Sequence, residues 1–330
     1  MNPLERILQA AKAAPRRIVL AEGEDPRIIE GAVRAMREGV ADIALVGDHA
    51  VVAARLADAG ADPAAFRIED PSTSALAPRL AGAYHALRAS KGVDAAAARE
   101  ALRSPLVFAA MMVREGEADG TIGGAVATTA DTVRAALQTI GRAPGVGLVS
   151  SFFLMLLDAP HHPKKGVFVF ADCALVVDPD AAGLADIAVS SARSYEALCG
   201  ETARVALLSF STAGSASHER VAKVIEGTRL ARARAPDLAI DGELQFDSAF
   251  VKSVSDAKAP HSLLHGDANV FVFPNLDAAN IGYKIAQRIG GAVAVGPILQ
   301  GLAKPANDLS RGCSADDVFQ LIAVTVVQAG

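Results

Sequence analysis

The amino-acid sequence predicts an α/β fold in which mostly parallel sheets carry helices on both faces. Short apolar runs of strand length alternate with longer helical patterns from the start of the chain, and glycine- or proline-containing turns separate many of them. Parallel strands need a crossover connection, usually a helix, so this alternation favours parallel sheets. With 330 residues the chain is long enough for two domains.

The first strand–helix–strand unit is predicted close to the start of the chain. Residues 18–21 and residues 43–46 are short apolar runs that suit buried strands. Between them, Asp25 and Pro26 suit the N-cap and the first position of a helix over residues 27–38.

Residues 76–112 are predicted to be helical because they are rich in alanine and lack strand alternation. Pro78 and Pro105 fit best near helix starts. Arg88 lies late in the first of these helices. A cation there complements the helix dipole, which is the simpler interpretation of Arg88.

A glycine pair follows the apolar stretch that ends at Ile122. Gly123 and Gly124 permit close backbone approach to a ligand, and a threonine can cap the helix that follows. One interpretation is a phosphate-binding loop. The other is a well-capped helix with an Asp131–Arg134 ion pair, and the residues alone do not separate the two.

A second α/β unit is predicted after the turn at residues 142–145. Its strands and helices are predicted at residues 168–171, 182–199, 205–208, 218–234, 270–273 and 280–289. A hydroxyl-rich loop at residues 209–215 includes Ser211 and Thr212, at the strand end where open α/β sheets bind ligands.

The helix predicted over residues 280–289 has Asn280 as its cap. Ile281, Ile285 and Ile289 form its expected core stripe. Arg288 lies near the end of this helix, where it could act only as a cation that complements the helix dipole.

Residues 291–317 form the stretch that is richest in chemically useful groups. A strand over residues 292–295 is expected to break at Gly296-Pro297, and a Gly/Pro/Asn-rich connection then leads to Ser310 and Arg311. An apolar helix follows Asp317, so these groups lie beside a helix N-terminus, which favours anions. Ser314 and Asp317 also match a capping box, so a structural role for Asp317 competes with a catalytic one.

Composition and missing motifs exclude several classes of protein. The net charge of −5 and the absence of tryptophan argue against nucleic-acid binding, and no apolar run approaches the length of a membrane span. Three scattered cysteines indicate neither a disulfide framework nor a zinc site, and no metal is expected. The N-terminus lacks the apolar core of a signal peptide, so we expect a cytoplasmic protein. The dinucleotide, P-loop and nucleophile-elbow motifs are absent.

Several segments resemble the phosphate acetyl/butyryltransferase family, which includes phosphotransacetylases. They are GGAVATTADTVRAALQTI, ADCALVVDPD, LLSFSTAGSA, DGELQFDSA, ANVFVFPNLDAANIGYKIAQRIGG and GPILQGLAKPANDLSRGCSADDV, in order from about Ala118 to the C-terminus. The resemblance implies two α/β/α domains of isopropylmalate-dehydrogenase-like architecture with a cleft between them. Domain I is expected over residues 1–146 plus 302–330, and domain II, which is expected to form a homodimer, over residues 147–301.

The implied activity is reversible acetyl transfer between coenzyme A, as a substrate, and phosphate, with no cofactor. By the same resemblance, the catalytic residues are Ser310, Asp317, Arg311 and Arg288, and the arginines associated with coenzyme A are Arg134 and Arg88. Thr129, Ser211 and Thr212, in or beside the loops that follow predicted strands, are further expected substrate-binding residues. The family often has serine and histidine where this chain has Gly123 and Ala127, so contacts in that loop are expected to differ.

Three alternatives remain on sequence alone. One is the same reaction with longer acyl groups, as in phosphate butyryltransferases. Another is a non-catalytic acyl-CoA-binding module. The third is an oxidoreductase of the same architecture, which would need paired aspartates for a divalent metal, and no such pair can be placed in the sequence.

Overall fold

The computed structural model describes residues 3–330 and divides into two compact units. The terminal unit comprises Leu4–Pro144 and Leu302–Gly330, and the internal unit comprises Gly145–Gly301. The helices are α1 Pro3–Ala13, α2 Pro26–Arg37, α3 His49–Asp58, α4 Ala77–Arg88, α5 Ala95–Ala101, α6 Pro105–Arg114, α7 Thr129–Thr139, α8 Ala181–Cys199, α9 Glu219–Arg234, α10 Phe246–Phe250, α11 Lys252–Lys258, α12 Leu276–Arg288 and α13 Ala315–Gln328. The strands are β1 Arg16–Leu20, β2 Ala41–Val46, β3 Arg67–Glu69, β4 Gly120–Gly123, β5 Ser150–Leu157, β6 Gly166–Ala171, β7 Arg204–Leu208, β8 Ala239–Leu244, β9 Val270–Val272, β10 Val293–Gln300 and β11 Ala306–Asp308.

The terminal unit contains a five-stranded parallel sheet in the order β11-β4-β1-β2-β3. Successive strand residues point to opposite faces. Val19 of β1 packs in one core cluster with Phe108 of α6, whereas Ile18 lies next to Gly120, where β4 meets α13. Helices therefore cover both faces of the sheet, as the sequence predicts.

The internal unit contains a six-stranded mixed sheet in the order β10-β5-β6-β9-β7-β8. The four strands from β6 to β8 are parallel, and β5 and β10 are antiparallel neighbours at the other edge. Phe168, Phe170 and Phe271 pack with Phe250 and Ala279, which belong to α10 and α12. The predicted fold class, α/β with mostly parallel sheets, is confirmed.

Two details of the internal unit differ from the prediction. Helix α12 begins at Leu276 with Asn275 as its cap, and the amide of Asn280 donates to the Cys173 carbonyl from inside the helix at 3.1 Å. Strand β10 continues through Gly296-Pro297 with a bulge instead of ending there. A bulge absorbs the missing proline N–H without ending the strand.

The expected isoleucine core stripe of α12 is also wrong. Ile281, Ile285 and Ile289 are 58%, 53% and 82% exposed. Ala279 is buried instead, and Tyr283 packs against the same core cluster. A helical apolar period marks a face that can be covered, but it does not say whether the chain's own core covers it.

The connection to α13 contains strand β11, which the sequence analysis did not predict. Its three residues are buried and pair with β4. None of the helices within residues 3–330 is both long and apolar enough to cross a membrane.

Candidate active site

The loop between β11 and α13 presents Ser310 and Arg311 to solvent. Ser310, Arg311 and Gly312 are exposed, whereas Cys313 is buried. The loop closes on itself, because Cys313 N donates to Ser310 O at 2.9 Å and Gly312 N donates to Ser310 Oγ at 3.2 Å. The hydroxyl proton of Ser310 is therefore still available to a ligand. The guanidinium of Arg311 has no hydrogen-bond or ion-pair partner among residues 3–330.

Asp317 closes a capping box with Ser314 at the start of α13. Asp317 N donates to Ser314 Oγ at 3.2 Å, and Asp317 Oδ2 accepts from Ser314 N at 2.8 Å and from Ser314 Oγ at 2.9 Å. The capping interpretation is confirmed. Asp317 Oδ1 accepts no hydrogen bond from the described part of the chain, so one carboxylate oxygen stays free. Asp316 points elsewhere and pairs with Arg34 at 2.6 Å.

Cys313 is not a candidate nucleophile, although it follows Ser310 and Arg311 closely. Burial raises the pKa of its thiol, Arg27 lowers the pKa and the charge of Asp317 raises it further. A thiol with a raised pKa is mostly protonated near neutral pH.

A side chain that the sequence analysis missed fills the glycine-rich loop after β4. Glu22 accepts Ala125 N at 2.6 Å and Ala127 N at 2.7 Å, and also Val126 N at 3.1 Å. A carboxylate of the protein itself thus occupies the backbone donors that a phosphate-binding loop would offer. The capped-helix interpretation fits the structure, because Thr128 caps α7.

Asp308 is a second missed carboxylate, fully buried at the end of β11. Thr129 Oγ1 donates to its Oδ2 at 2.6 Å, while Oδ1 has no partner among the described residues and lies against Gly124. A Cβ at Gly124 would lie 2.1 Å from Oδ1, so only glycine fits there. Burial raises the pKa of Asp308 to about 6, and the charge of Glu22 adds to the rise.

The two arginines associated with coenzyme A by resemblance lie on separate helices of the terminal unit. Arg134 is exposed on α7 and pairs with Asp131 at 2.6 Å. Arg88 is the last residue of α4 and is half-buried, and its Nε is buried without a hydrogen-bond partner within residues 3–330.

The remaining predicted residues belong to the internal unit. Arg288 is exposed at the last position of α12 and has no hydrogen-bond or ion-pair partner in the described chain. Ser211 and Thr212 are buried: Ser211 Oγ donates to Glu243 at 2.9 Å, and Thr212 Oγ1 accepts Gln245 N at 2.9 Å. In the structure these two hydroxyls hold the loop together, and their role in substrate binding stays a prediction.

A cavity of about 750 Å³ in the internal unit adjoins this loop. Its lining includes Ser209, Phe210, Arg220, Lys223, Phe246 and Phe273. The same hydroxyl-rich loop therefore presents its first two residues, rather than Ser211 and Thr212, to the cavity. The position of this loop after a strand could be predicted from the sequence, but which of its side chains face the cavity could not.

Replacing Asp308 with asparagine tests its unusual titration. A folded-state pKa of about 6 against an ordinary 3.8 means that the folded protein holds the proton more tightly. The Asp308 contribution to stability is therefore intact below pH ~4 and is lost as pH rises through ~6. The folded and unfolded pKa values differ by about 2 units, so the free energy of unfolding falls by about 3 kcal/mol in total. Asp308→Asn keeps an acceptor for Thr129 and removes this loss. We expect the variant's Tm, relative to that of the wild type, to increase between pH 4.5 and 7.5, and a constant difference would contradict the assignment.

Comparison with known proteins identifies the family. The phosphate acetyl/butaryl transferase family model matches residues 3–326. The chain is 53% identical over 328 residues to the phosphate acetyltransferase of Paracoccus denitrificans, covering 99% of each chain. It is 47% identical over 329 residues to that of Acetivibrio thermocellus, covering 100% of this chain and 98% of the relative. The solved structure of a phosphotransacetylase from Staphylococcus aureus matches with a TM-score of 0.91 at 42% identity, covering 99% of both chains. The chain therefore belongs to the phosphate acetyl/butaryl transferase family.

Proposed function

We propose that this protein is a phosphate acetyltransferase, which converts acetyl phosphate and coenzyme A reversibly into acetyl-CoA and phosphate. The observation that carries the proposal is the end-to-end match to enzymes of that name, at 53% and 47% identity. The exposed Ser310–Arg311 loop beside the capped start of α13 supplies groups suited to acyl transfer.

In the proposed reaction the thiol sulfur attacks the carbonyl carbon of acetyl phosphate in a ternary complex. A carbon–sulfur bond forms, and the bond between that carbon and the bridging oxygen breaks. The departing phosphate takes the electron pair, and the thiol proton passes to a base. No atom changes its oxidation state in this step, so the chemistry requires no redox cofactor.

Asp317 is the proposed base. Its Oδ2 accepts hydrogen bonds from Ser314 while its Oδ1 is free, so the N-terminal cap of α13 fixes the orientation of the carboxylate. A free thiol and a free aspartate differ by about 4–5 pKa units, or about 6 kcal/mol. A carboxylate therefore cannot keep a thiol ionised, and proton removal is proposed to be concerted with attack of the sulfur.

Ser310 is proposed to donate a hydrogen bond to the developing oxyanion. Its Oγ accepts Gly312 N, which leaves the O–H free to donate. No side chain of the described residues accepts its proton, so Ser310 is better suited as a donor than as a nucleophile. The unpaired guanidinium groups of Arg311 and Arg288 are proposed to bind the phosphate and the reacting acyl group.

Coenzyme A is proposed to interact with Arg134 and Arg88. Arg134 is exposed and Arg88 is half-buried, so a ligand can reach part of each side chain. Thr129, Ser211 and Thr212 are proposed to shape the substrate sites through the loops they hold. All three cysteines are free thiols, which suits the proposed reducing environment of the cytoplasm.

We also propose a homodimer. Exposed Ile281 and Ile285 of α12 and its C-cap residue Ile289 are spaced by four, and exposed Val293 follows them at the start of β10. Large apolar side chains in such a row favour a covered surface, and a two-fold axis would pair the row with its own copy.

The function is tested by thioester formation from acetyl phosphate and coenzyme A. We expect turnover by the wild type and a fall in kcat of about 100-fold or more in Ser310→Ala and Asp317→Asn. The asparagine side chain introduced by Asp317→Asn can still accept the capping bonds, so the Tm of this variant should stay close to that of the wild type.

Ser314→Ala is the matched control, since it removes the capping hydroxyl but keeps the proposed base and the backbone N–H that holds Asp317 Oδ2. We expect this variant to lose about 1 kcal/mol of stability while keeping most of its turnover. Full activity in both Ser310→Ala and Asp317→Asn would refute the assigned roles. A higher kcat/KM for butyryl phosphate than for acetyl phosphate would favour the longer-chain reaction instead.

Arg288 is tested against its neighbour Lys284, another exposed cation of α12. Loss of one charge-assisted bond of about 1.5–3 kcal/mol predicts a fall in kcat/KM of roughly 10- to 150-fold in Arg288→Ala. Lys284→Ala should retain normal activity. Both variants should keep the wild-type Tm, because neither side chain is buried. Equal activity of the two variants would remove Arg288 from the site.

The dimer is tested by sedimentation. The chain mass of 33.9 kDa predicts a species of twice that mass, about 68 kDa, for the wild type. Ile285→Glu should shift the protein to the monomer, since a charge in an apolar interface is poorly solvated. Ile225→Glu, at an exposed isoleucine of α9, is the control and should remain dimeric. A dimeric Ile285→Glu variant would show that this face is not the interface.

A further inference from the structure

Arg27, near the start of α2, uses all of its guanidinium donors within the terminal unit. Its Nε and Nη2 donate to the two carboxylate oxygens of Asp25 at 2.9 and 2.7 Å. Nη1 donates to Arg311 O at 2.7 Å and to Cys313 O at 3.3 Å, and Nη2 donates to Ala125 O at 2.8 Å. A guanidinium has five N–H donors, and these five bonds occupy them all.

The three carbonyl acceptors lie in loops that have no ladder or helix to satisfy them. Two belong to the loop that presents Ser310 and Arg311, and one belongs to the loop after β4 whose N–H groups bind Glu22. Arg27 therefore ties the backbone on either side of Gly312 to a second loop that is fixed independently. The bond to the Arg311 carbonyl is exposed, whereas those to the Cys313 and Ala125 carbonyls are partly buried. A partly buried carbonyl without a donor is costly, so arrangements of these loops that lose Arg27 are less favourable.

The same face of α2 supports the start of α13. Gly31, four residues after Arg27, lies so close to Val318 that a Cβ would be 2.6 Å from its Cγ1. Three residues further on, Arg34 pairs with Asp316 and its guanidinium lies 3.9 Å from the centre of the Phe319 ring. Arg27, Gly31 and Arg34 thus form one row on α2, at positions i, i+4 and i+7. This row packs along the segment that carries the proposed catalytic groups.

Asp25 fixes the orientation of the guanidinium. Its side chain is only 11% exposed, it accepts both bonds of the fork, and it also caps α2 by accepting Arg27 N at 2.9 Å. The hydrogen bonds from Arg27 lower the pKa of Asp25, which keeps this carboxylate ionised and the fork intact over the neutral range.

We propose that Arg27 is a positioning residue for acetyl transfer, which sets the peptide groups of Arg311–Cys313 so that Ser310, Arg311 and Asp317 face one reacting centre. This inference rests on the proposed function. Arg27 acts through the backbone of the loop and does not touch a substrate. Lysine cannot replace it, because an ammonium has three donors without the planar fork that serves Asp25 and three carbonyls together.

The experiment compares Arg27→Lys and Arg27→Ala with Arg37→Ala. Arg37 is the matched control, since it lies on the same helix and donates to the Gly60 carbonyl, away from both loops. We expect kcat to fall about 100-fold in Arg27→Ala and about 10-fold or more in Arg27→Lys, with little change in either KM, because misplacement by about 1 Å has effects of this size. Millimolar guanidinium, far below unfolding concentrations, should restore part of the activity of Arg27→Ala but not that of Ser310→Ala.

Hydrogen exchange separates this inference from the proposed function. Amides of residues 309–317 and 124–128 should exchange faster in Arg27→Lys than in the wild type, whichever reaction the protein catalyses. Unchanged exchange in these segments, or wild-type kcat in Arg27→Lys, would overturn the positioning role. If Arg27→Ala does not fold, Arg27→Lys decides the outcome. An inactive wild type with faster exchange in Arg27→Lys would instead refute the proposed function alone.

Discussion

Backbone polar groups in the loops that follow parallel strands need partners, and meeting this need organises the terminal unit. The segment between β11 and α13 makes few regular hydrogen bonds of its own, so side chains from elsewhere must satisfy it. Arg27 supplies donors to its carbonyls, and Ser314 and Asp317 satisfy the first N–H groups of α13. The exposed Ser310 and Arg311 can then be both solvent-accessible and well placed.

Buried or half-buried carboxylates accept hydrogen bonds from the backbone N–H groups of other loops. Glu22 accepts three successive amides after β4. In the internal unit, Asp172, directly after β6, accepts the amides of Ala174 and Leu175 and that of Ser151 in β5, and Glu243 accepts Gly214 N. Strand-end loops of α/β proteins often bind anions through such amides. Here the chain's own carboxylates fill several of these places, so in the proposed function cationic side chains bind the anionic substrates.

Four arginines on these segments differ in whether they have partners within the described chain. Arg27 donates to the loop before α13, and Arg34 pairs with Asp316 and lies over Phe319 of the helix itself. This loop and helix carry the proposed catalytic groups. Arg311 and Arg288, in contrast, have no hydrogen-bond or ion-pair partner within residues 3–330. An unpaired guanidinium in water contributes little to stability, so both side chains are free for the binding roles proposed for them.

The sequence by itself determined the alternation of strands and helices, the caps at Asp25 and Ser314, and the family, because local periodicity, capping chemistry and contiguous motifs are all written within short segments. The capping box at Asp317 was predictable for the same reason. Only the tertiary structure decided which faces are buried and which residues distant in the sequence come into contact. It left the isoleucine row of α12 exposed and continued β10 through Gly296-Pro297. It also brought Glu22, Arg27 and Asp308 into contact with segments about 100 or more residues away in the sequence. Hydrophobic period shows which residues share a face, but packing decides which face is covered and which distant backbone a charged side chain meets. The Ser310–Asp317 stretch was thus visible in the sequence as a set of functional groups, whereas the guanidinium of Arg27 that holds its backbone was visible only in the fold.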